Sequence, residues 1–210
     1  MAKYELAVAL VLGLSLFGLT SAGDPDILTD FVVPPNVNNS NLNGSFFTYT
    51  GMRSLVGGNP PTTFTVTKAS LNEFPALDGQ SVSYAVLEFA AGSVNPPHTH
   101  PRGSELLFLI YGSLQVGFVD TTNKLFNQTL QTGDIFIFPK GLVHFQYNAN
   151  QTDFAVAVSA FGSASAGLVS IPVTVFGTGI DDGILAESFK TNVTTIEALK
   201  AVLTPPPPKA

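Results

Sequence analysis

Three histidines and one glutamate, placed in two short segments, are the residues of this chain best suited to chemistry. His98 and His100 are one residue apart, Glu105 follows a Pro-Arg-Gly bend, and His144 lies in a later segment. In a β-strand, residues i and i+2 point to the same face, so His98 and His100 are expected to project together. The bend can change the face to which the side chain of Glu105 points, so that Glu105 shares the face of the two histidines. His144 can complete the group from a neighbouring strand. These side chains predict a site for a divalent cation.

The concentration of histidine supports this hypothesis over a simpler one. A single histidine is more often a hydrogen-bonded core or surface residue than a metal ligand. Here, however, all 3 histidines of the chain lie in two Gly- and Pro-bounded segments, with an acid beside two of them. A carboxylate buried among apolar strands would also cost several kcal/mol if it were left unpaired. Imidazole and carboxylate ligands suit manganese or iron, and the residues alone do not decide between metals.

The strands that must position these residues are indicated by short apolar runs. Such runs, rich in Val, Ile and Phe, are separated by Gly, Asn and Asp, which favours an antiparallel β-sandwich or barrel. The runs span residues 64–66, 82–89, 106–111, 114–119, 124–130, 135–138, 143–147, 154–161 and 168–175. We therefore predict an all-β fold, with a single barrel over residues 62–178.

The segments on either side of the barrel have different patterns. Residues 24–61 are rich in Asn, Pro, Gly and Ser and predict an extended amino-terminal arm with short strands. Residues 179–203 have helical spacing and predict two short helices, the second capped by Thr194 or Thr195. Residues 204–210 form a Pro-rich tail. The helices carry an apolar stripe that indicates contact between subunits or, alternatively, packing on the barrel of the same chain: Ile184, Leu185, Ile196, Leu199 and Leu203.

The first residues predict export from the cell. Residues 1–22 have a short positive start, an apolar stretch and small residues at the end, as in a signal peptide. A membrane anchor is the alternative, but the apolar stretch is shorter than the roughly 20 residues that span a bilayer. The protein is thus predicted to be secreted, without a membrane span after cleavage. Five Asn-X-Ser/Thr sequences are candidate glycosylation sites, at Asn38, Asn43, Asn127, Asn150 and Asn192.

Charge and cysteine content exclude other classes. There are 9 Lys and Arg residues against 15 Asp and Glu residues, for a net charge of −6 and without a basic cluster. Nucleic acid is therefore not expected as a partner. Charged residues make up 11% of the chain, compared with about 25% in typical soluble domains. Because the chain has no cysteine, its stability must come from packing, metal or assembly.

The two histidine segments resemble the conserved boxes of a known family. The first is Gly92-x5-His98-x-His100-x4-Glu105-x6-Gly112, and the second is Gly133-x5-Pro139-x-Gly141-x2-His144-x3-Asn148. Both match the germin boxes without a gap, and Asn95-Pro96-Pro97 before His98 adds to the match. The chain resembles plant germin-like proteins of the cupin superfamily. That resemblance implies a jelly-roll barrel, Mn²⁺ held by His98, His100, Glu105 and His144, and a homohexamer, built as a trimer of dimers, in the cell wall or apoplast.

Two departures from the family pattern bear on stability and activity. Many germins have a disulfide near the mature amino terminus, but Val32 stands where its first cysteine is expected. The arm is therefore expected to be held by packing only. Germins that oxidise oxalate have two asparagines near the metal; Asn95 matches one as a catalytic candidate, whereas Ala85 replaces the other. A methyl group cannot donate a hydrogen bond to a dicarboxylate.

Three functions remain open at this point. The first is an extracellular manganese superoxide dismutase with a defence or stress role, acting on a small oxygen species or another small anion. Arg102 could steer the anion, or it could be a solvated loop residue or an interface contact. The second is oxalate oxidase, which Ala85 argues against. The third is a non-catalytic binding or receptor-like wall protein, in which the metal only stiffens the barrel.

Overall fold

The fold consists of two five-stranded sheets followed by three short helices. The computed structural model describes residues 23–38, 40 and 42–203. The predicted signal peptide, residues 1–22, and the Pro-rich tail, residues 204–210, lie outside the described residues. Within the described part of the chain, no helix has the length and apolar character needed to cross a bilayer.

The strands pair in antiparallel fashion throughout both sheets. Sheet I has the order β1-β2-β9-β4-β7, and sheet II has the order β10-β3-β8-β5-β6. The bounds are β1 Thr65–Ala69, β2 Ser83–Phe89, β3 Val94–Thr99, β4 Glu105–Tyr111, β5 Ser113–Val119, β6 Leu125–Gln131, β7 Ile135–Phe138, β8 Val143–Tyr147, β9 Ala155–Phe161 and β10 Val169–Ser170. This arrangement confirms the predicted all-β jelly-roll fold.

Alternation along the strands places the core between the sheets. In β4, Glu105, Leu107 and Leu109 are buried, whereas Leu106 and Phe108 are exposed. Strands β2, β8 and β9 follow the same two-residue period, which is the expected pattern for a sheet with one buried face. The main apolar core consists of Ala85, Leu87, Phe89, Leu107, Leu109, Leu114, Val116, Leu130, Phe138, Ala155 and Ala157.

Strand β3 is absent from the apolar runs in the sequence because it contains two prolines, although His98 was expected to lie in a strand. Proline lacks the N–H that a strand donates to its neighbour, so Pro96-Pro97 does not resemble a strand. The structure accommodates both by a register shift against β8: Asn95 pairs with Gln146, and His98 with His144. Such a bulge changes which residues share a face. It allows Asn95 and His98, three positions apart, to line the same cavity.

The carboxyl-terminal prediction was partly wrong. Residues 171–175, expected as the end of a strand, belong to helix α1 (Ile171–Phe176), with Pro172 in its first turn. A short apolar run does not distinguish a buried strand from a helix, whereas proline favours the first helical turn. The two expected helices are present as α2 (Asp182–Phe189) and α3 (Val193–Leu203).

The apolar stripe of these helices divides into two parts. Leu185 and Ile196 are buried and form a small cluster with Val175 and Phe176 of α1. Ile184 and Leu199 remain exposed. The backbone N–H of Thr195 donates to Oδ1 of Asn192 at 2.9 Å, so Asn192 takes the capping role that we expected of a threonine.

The arm is held by hydrogen bonds as well as by packing, which corrects the expectation of packing alone. Oδ1 of Asp24 accepts a hydrogen bond from Oγ of Ser163 at 2.6 Å, and its Oδ2 accepts one from the backbone N–H of Ala164 at 2.6 Å. Further along, the Tyr49 hydroxyl donates to the carbonyl of Lys68 at 3.0 Å. The short strands expected in the arm are absent from its described residues.

Candidate metal centre

The structure brings the four residues singled out in the sequence into one group. His98 lies in β3, His100 directly follows it, Glu105 begins β4, and His144 lies in β8. Their possible ligand atoms all lie within 4.8 Å of one another. The group therefore draws on both sheets, and all four residues are at least nine-tenths buried.

Backbone carbonyls orient all three imidazoles in the same way. Nδ1 of His98 lies 2.8 Å from the carbonyl oxygen of Pro96, and Nδ1 of His144 lies 2.8 Å from that of Leu142. Nδ1 of His100 lies 2.5 Å from the carbonyl oxygen of Gly167. Because a carbonyl only accepts hydrogen bonds, each Nδ1 carries the proton in a neutral ring. Each Nε2 is then left with a lone pair, as in metal-binding histidines.

The distances around Glu105 fit a cation between these groups. Oε2 of Glu105 lies 3.1 Å from Nε2 of His100 and 3.1 Å from Nε2 of His144. With the Nδ1 protons placed as above, these atoms are all lone-pair acceptors. Acceptors in such close contact are stabilised by a shared positive charge. The donor set itself, three imidazoles and one carboxylate, is therefore suited to a divalent metal ion.

The electrostatics keep Glu105 ionised and His98 neutral. Burial by itself would raise the pKa of Glu105, but hydrogen bonds and charge from His100 and His144, when these rings also carry a proton on Nε2, outweigh it and lower the pKa to about 2. A cation between the neutral rings and the carboxylate acts on Glu105 in the same direction. Burial, together with the neighbouring His144, lowers the pKa of His98 to about 4. At neutral pH the site thus offers one carboxylate and, from His98, one neutral nitrogen ligand, the states in which both groups bind metals.

Aromatic contacts and a cavity surround the group. The ring of His144 stacks on Phe138 at a centroid distance of 4.5 Å, and His100 meets the edge of Phe161 at 4.8 Å. These contacts restrict how far the imidazoles can turn. On the other side lies a cavity of about 360 Å³, which His98, His100 and Glu105 help to line. A ligand in this cavity would therefore have direct access to the group.

Two further residues at the site escaped the sequence analysis. Ser159 donates to Oε1 of Glu105 at 2.6 Å, and Gln146 donates to the same oxygen at 3.2 Å. Gln146 could have been predicted, because it is two positions after His144 in β8 and such residues point to the same face of a strand. Ser159 carried only a weak signal, as the one polar residue in the run Ala155–Phe161. Asn95 donates to Oε1 of Gln146 at 2.7 Å and lines the cavity.

Comparisons with known proteins agree with this architecture. A family profile described as cupin matches residues 59–197. The chain is 60% identical over 206 residues to germin-like protein 9-3 of Oryza sativa subsp. japonica, with 96% of each chain covered. This chain belongs to the germin-like proteins of the cupin family. It is also 37% identical to nectarin-1 of a Nicotiana langsdorffii and Nicotiana sanderae hybrid, covering 96% of this chain and 92% of nectarin-1.

Solved structures of oxalate oxidase are similar to this germin-like chain. A recombinant oxalate oxidase in complex with glycolate is 31% identical, with a TM-score of 0.78 over 86% of this chain and 98% of the other. A second oxalate oxidase structure is 32% identical, with a TM-score of 0.77 and the same coverage. The predicted family is thus confirmed, as is the jelly-roll fold.

Proposed function

We propose that this germin-like protein is a secreted manganese protein of the plant cell wall or apoplast that dismutates superoxide, with a defence or stress role. The observation that carries the proposal is the convergence of one ring nitrogen from each of three histidines and one carboxylate oxygen, all within 4.8 Å, beside an accessible cavity. His98, His100, Glu105 and His144 would hold the ion. Four protein ligands would leave two positions free if the ion were six-coordinate, and manganese suits such imidazole and oxygen ligands.

The chemistry requires a redox-active ion with open positions. When bound, manganese supplies one-electron redox chemistry at those positions. The protein residues bind the ion, keep its ligands in the required protonation states and limit access to the cavity. A small anion needs no further recognition than entry to this cavity, which makes superoxide a suitable substrate.

Charges at the cavity support an anionic substrate. Lys68 and Arg102 line the cavity, and the metal-site residue Glu105 is the one acidic residue among the described residues that do so. Neither cation lies within ion-pair distance of an acidic side chain among the described residues, and Lys68 contributes only a small part of the lowering of the pKa of Glu73. Arg102 is instead oriented by Ser165, whose carbonyl and hydroxyl oxygens accept from Nε at 2.5 Å and from Nη2 at 3.2 Å. This local excess of positive charge, in a chain with a net charge of −6, favours a role of Arg102 in steering anions.

Oxalate oxidase is the second candidate, and the similarity to two oxalate oxidase structures favours it. Ala85 argues against it. This residue lines the cavity but is 2% exposed and has no hydrogen-bonding group. Asn95 is proposed to act in the reaction from the opposite wall, although one of its N–H groups is already used by Gln146. A non-catalytic binding protein is the third candidate, because the same ligands would also stiffen the barrel.

A direct experiment separates these three functions. The protein is produced by secretion from plant cells, its metal content is measured by elemental analysis, and its consumption of superoxide and of oxalate is assayed. We expect about one manganese per chain, superoxide turnover and no oxalate turnover. Full manganese occupancy without turnover of either substrate would favour the binding protein. Oxalate turnover would refute the argument from Ala85.

The charge of Lys68 offers a test of the anionic substrate. In the variant Lys68→Glu, we expect kcat/KM for superoxide to fall about tenfold at low ionic strength, because the local field no longer attracts the anion. The loss should shrink at about 0.5 M salt, where screening shortens the range of the field. Lys124→Glu makes the same charge change outside the cavity lining and should alter kcat/KM less than about twofold. Equal losses in the two variants would contradict local steering.

Secretion and glycosylation are part of the proposal. All five candidate asparagines, Asn38, Asn43, Asn127, Asn150 and Asn192, are exposed. Exposure is what an enzyme that attaches glycans requires, and glycans would help to keep a chain with few charges in solution. The predicted signal peptide, residues 1–22, supplies the route.

Assembly is proposed as well. The outer face of sheet I carries exposed large apolar residues in two adjacent strands, Leu106 and Phe108 in β4 and Ile135 and Ile137 in β7. The tail helices expose a second apolar set, which includes Ile184 and Leu199. Two separate apolar surfaces are what a hexamer built as a trimer of dimers requires, since it has two kinds of interface.

A further inference from the structure

The two carboxylate oxygens of Glu105 have different partners. Oε2 faces the imidazoles, 3.1 Å from Nε2 of His100 and of His144. Oε1 faces away from them and accepts hydrogen bonds from Oγ of Ser159 at 2.6 Å and from Nε2 of Gln146 at 3.2 Å. The carboxylate is therefore held at one oxygen while the other is presented to the metal group.

Burial makes these two hydrogen bonds strong constraints. Glu105 is 1% exposed, and Ser159 and Gln146 are both 0% exposed. Water does not compete for Oε1 at this depth, and hydrogen bonds to an ionised acceptor are stronger than neutral ones. If either donor were removed, one lone-pair site of a buried charge would lose its partner.

The position of Ser159 in the sheet accounts for a hydroxyl in an otherwise apolar strand. Ser159 pairs with Leu107 of β4 and with Ala85 of β2, so its side chain lies among inward-facing residues. A buried hydroxyl without a partner is destabilising. The hydrogen bond to Glu105 gives this hydroxyl its partner. Neither paired neighbour, Leu107 or Ala85, has a side-chain donor that could bind Glu105 in place of Ser159.

The orientation of Gln146 follows from the charge of Glu105. A carboxylate only accepts hydrogen bonds, so the amide of Gln146 must present its NH₂ group to Oε1. Its own Oε1 then faces Asn95, whose Nδ2 donates to it at 2.7 Å. Asn95 lines the cavity, so a continuous chain of hydrogen bonds links the cavity wall to the metal-binding carboxylate.

We propose that Ser159 and Gln146 are positioning residues, which fix Oε1 of Glu105 so that Oε2 is preorganised for the metal. The inference rests on the metal-binding function proposed above. Without either donor, the carboxylate can turn about its last bond and must be reordered when the ion binds. Loss of partners of this kind typically weakens metal affinity 10- to 100-fold.

The test compares manganese affinity among variants of the secreted full-length chain. Kd is measured by competition with a chelator for the native protein, Ser159→Ala and Gln146→Leu, and the electron paramagnetic resonance spectrum of bound Mn²⁺ is recorded for each. We expect Kd to rise about 10- to 100-fold in each variant. We also expect broader lines in the Mn²⁺ spectrum, because a less ordered carboxylate gives a wider distribution of zero-field splittings. The double variant should lose less than the product of the two effects, since both groups bind the same oxygen.

Ser83→Ala is the matched control. Ser83 is also a buried serine of sheet I, but its hydroxyl donates to the carbonyl of Ser163 at 2.7 Å, away from Glu105. This variant should lose thermal stability while Kd changes less than about threefold. Gln146→Leu provides an independent result if Ser159→Ala does not fold.

The outcomes distinguish this inference from the function on which it rests. If the native protein binds no manganese, both the metal function and the inference are wrong. If the native protein binds manganese and both variants bind it with the same Kd and spectrum, the positioning role is wrong and the metal function stands. A loss of stability without a change in Kd would likewise reduce Ser159 to a structural role.

Discussion

His144→Ala is expected to lose its bound manganese and, with it, superoxide consumption above the metal-free background. Only two of the three imidazole ligands would remain, and Oε2 of Glu105 would lose one of its two neighbouring nitrogens. Since a change beyond the ligand shell already costs 10- to 100-fold in affinity, loss of a ligand itself should cost more than about 100-fold. Elemental analysis and a superoxide assay on the same preparation measure both effects.

A control on the same strand separates ligand loss from damage to the barrel. Val143 precedes His144 in β8 and, by the alternation of the strand, its side chain points to the other face. Val143→Ala should retain manganese and activity. Full manganese occupancy in His144→Ala would refute the assignment of this residue as a ligand.

Loss of the ion should also reduce stability. A ligand present at 100 times its Kd stabilises the folded state by about 2.7 kcal/mol. The chain has no disulfide to compensate. Chelation of the native protein should therefore lower the melting temperature, whereas His144→Ala should melt at one temperature with or without the chelator.

The sequence was most informative where a short local pattern determines geometry. His98 and His100 lie in the same group because they are two positions apart in extended chain at the end of β3, and that relation depends on few other contacts. Glu105 and His144 join them because the barrel brings β4 and β8 together, which the family resemblance indicated. Family boxes thus supplied the long-range information that spacing alone lacks.

The parts that escaped prediction depend on contacts between distant residues. Strand β3 forms despite Pro96-Pro97 because a bulge in its pairing with β8 accommodates them. Helix α1 forms where an apolar run ended in an ambiguous pattern. Ser159 is recognisable as part of the site only once its hydroxyl is seen 2.6 Å from Glu105, a residue 54 positions away. A single serine in an apolar strand does not predict which residue its hydroxyl will bind.

The apolar outer face of sheet I is expected to be an interface between copies of this chain. Leu106 pairs with Ile137, and Phe108 pairs with Ile135, so the four side chains form one continuous patch across β4 and β7. They are between 43% and 61% exposed in the single chain. Full burial of such a side chain is worth about 1.5–3 kcal/mol. A second copy of this chain is therefore the expected cover for the patch, consistent with the low charged fraction of 11%.

Two charges in this patch should prevent its burial. We expect the double variant Leu106→Lys and Phe108→Lys to lose the interface, because two unpaired ammonium groups would have to be buried with it. Light scattering after gel filtration should give a hexamer for the native protein and a smaller species for the variant. Because Leu106 and Phe108 point away from the metal group, manganese content should stay within about twofold of native if the sites are independent.

Thr122→Lys, in the exposed β5–β6 turn, is the control that should remain hexameric. A native mass equal to that of one glycosylated chain would refute the assembly, and a hexameric double variant would exclude this face from its interfaces.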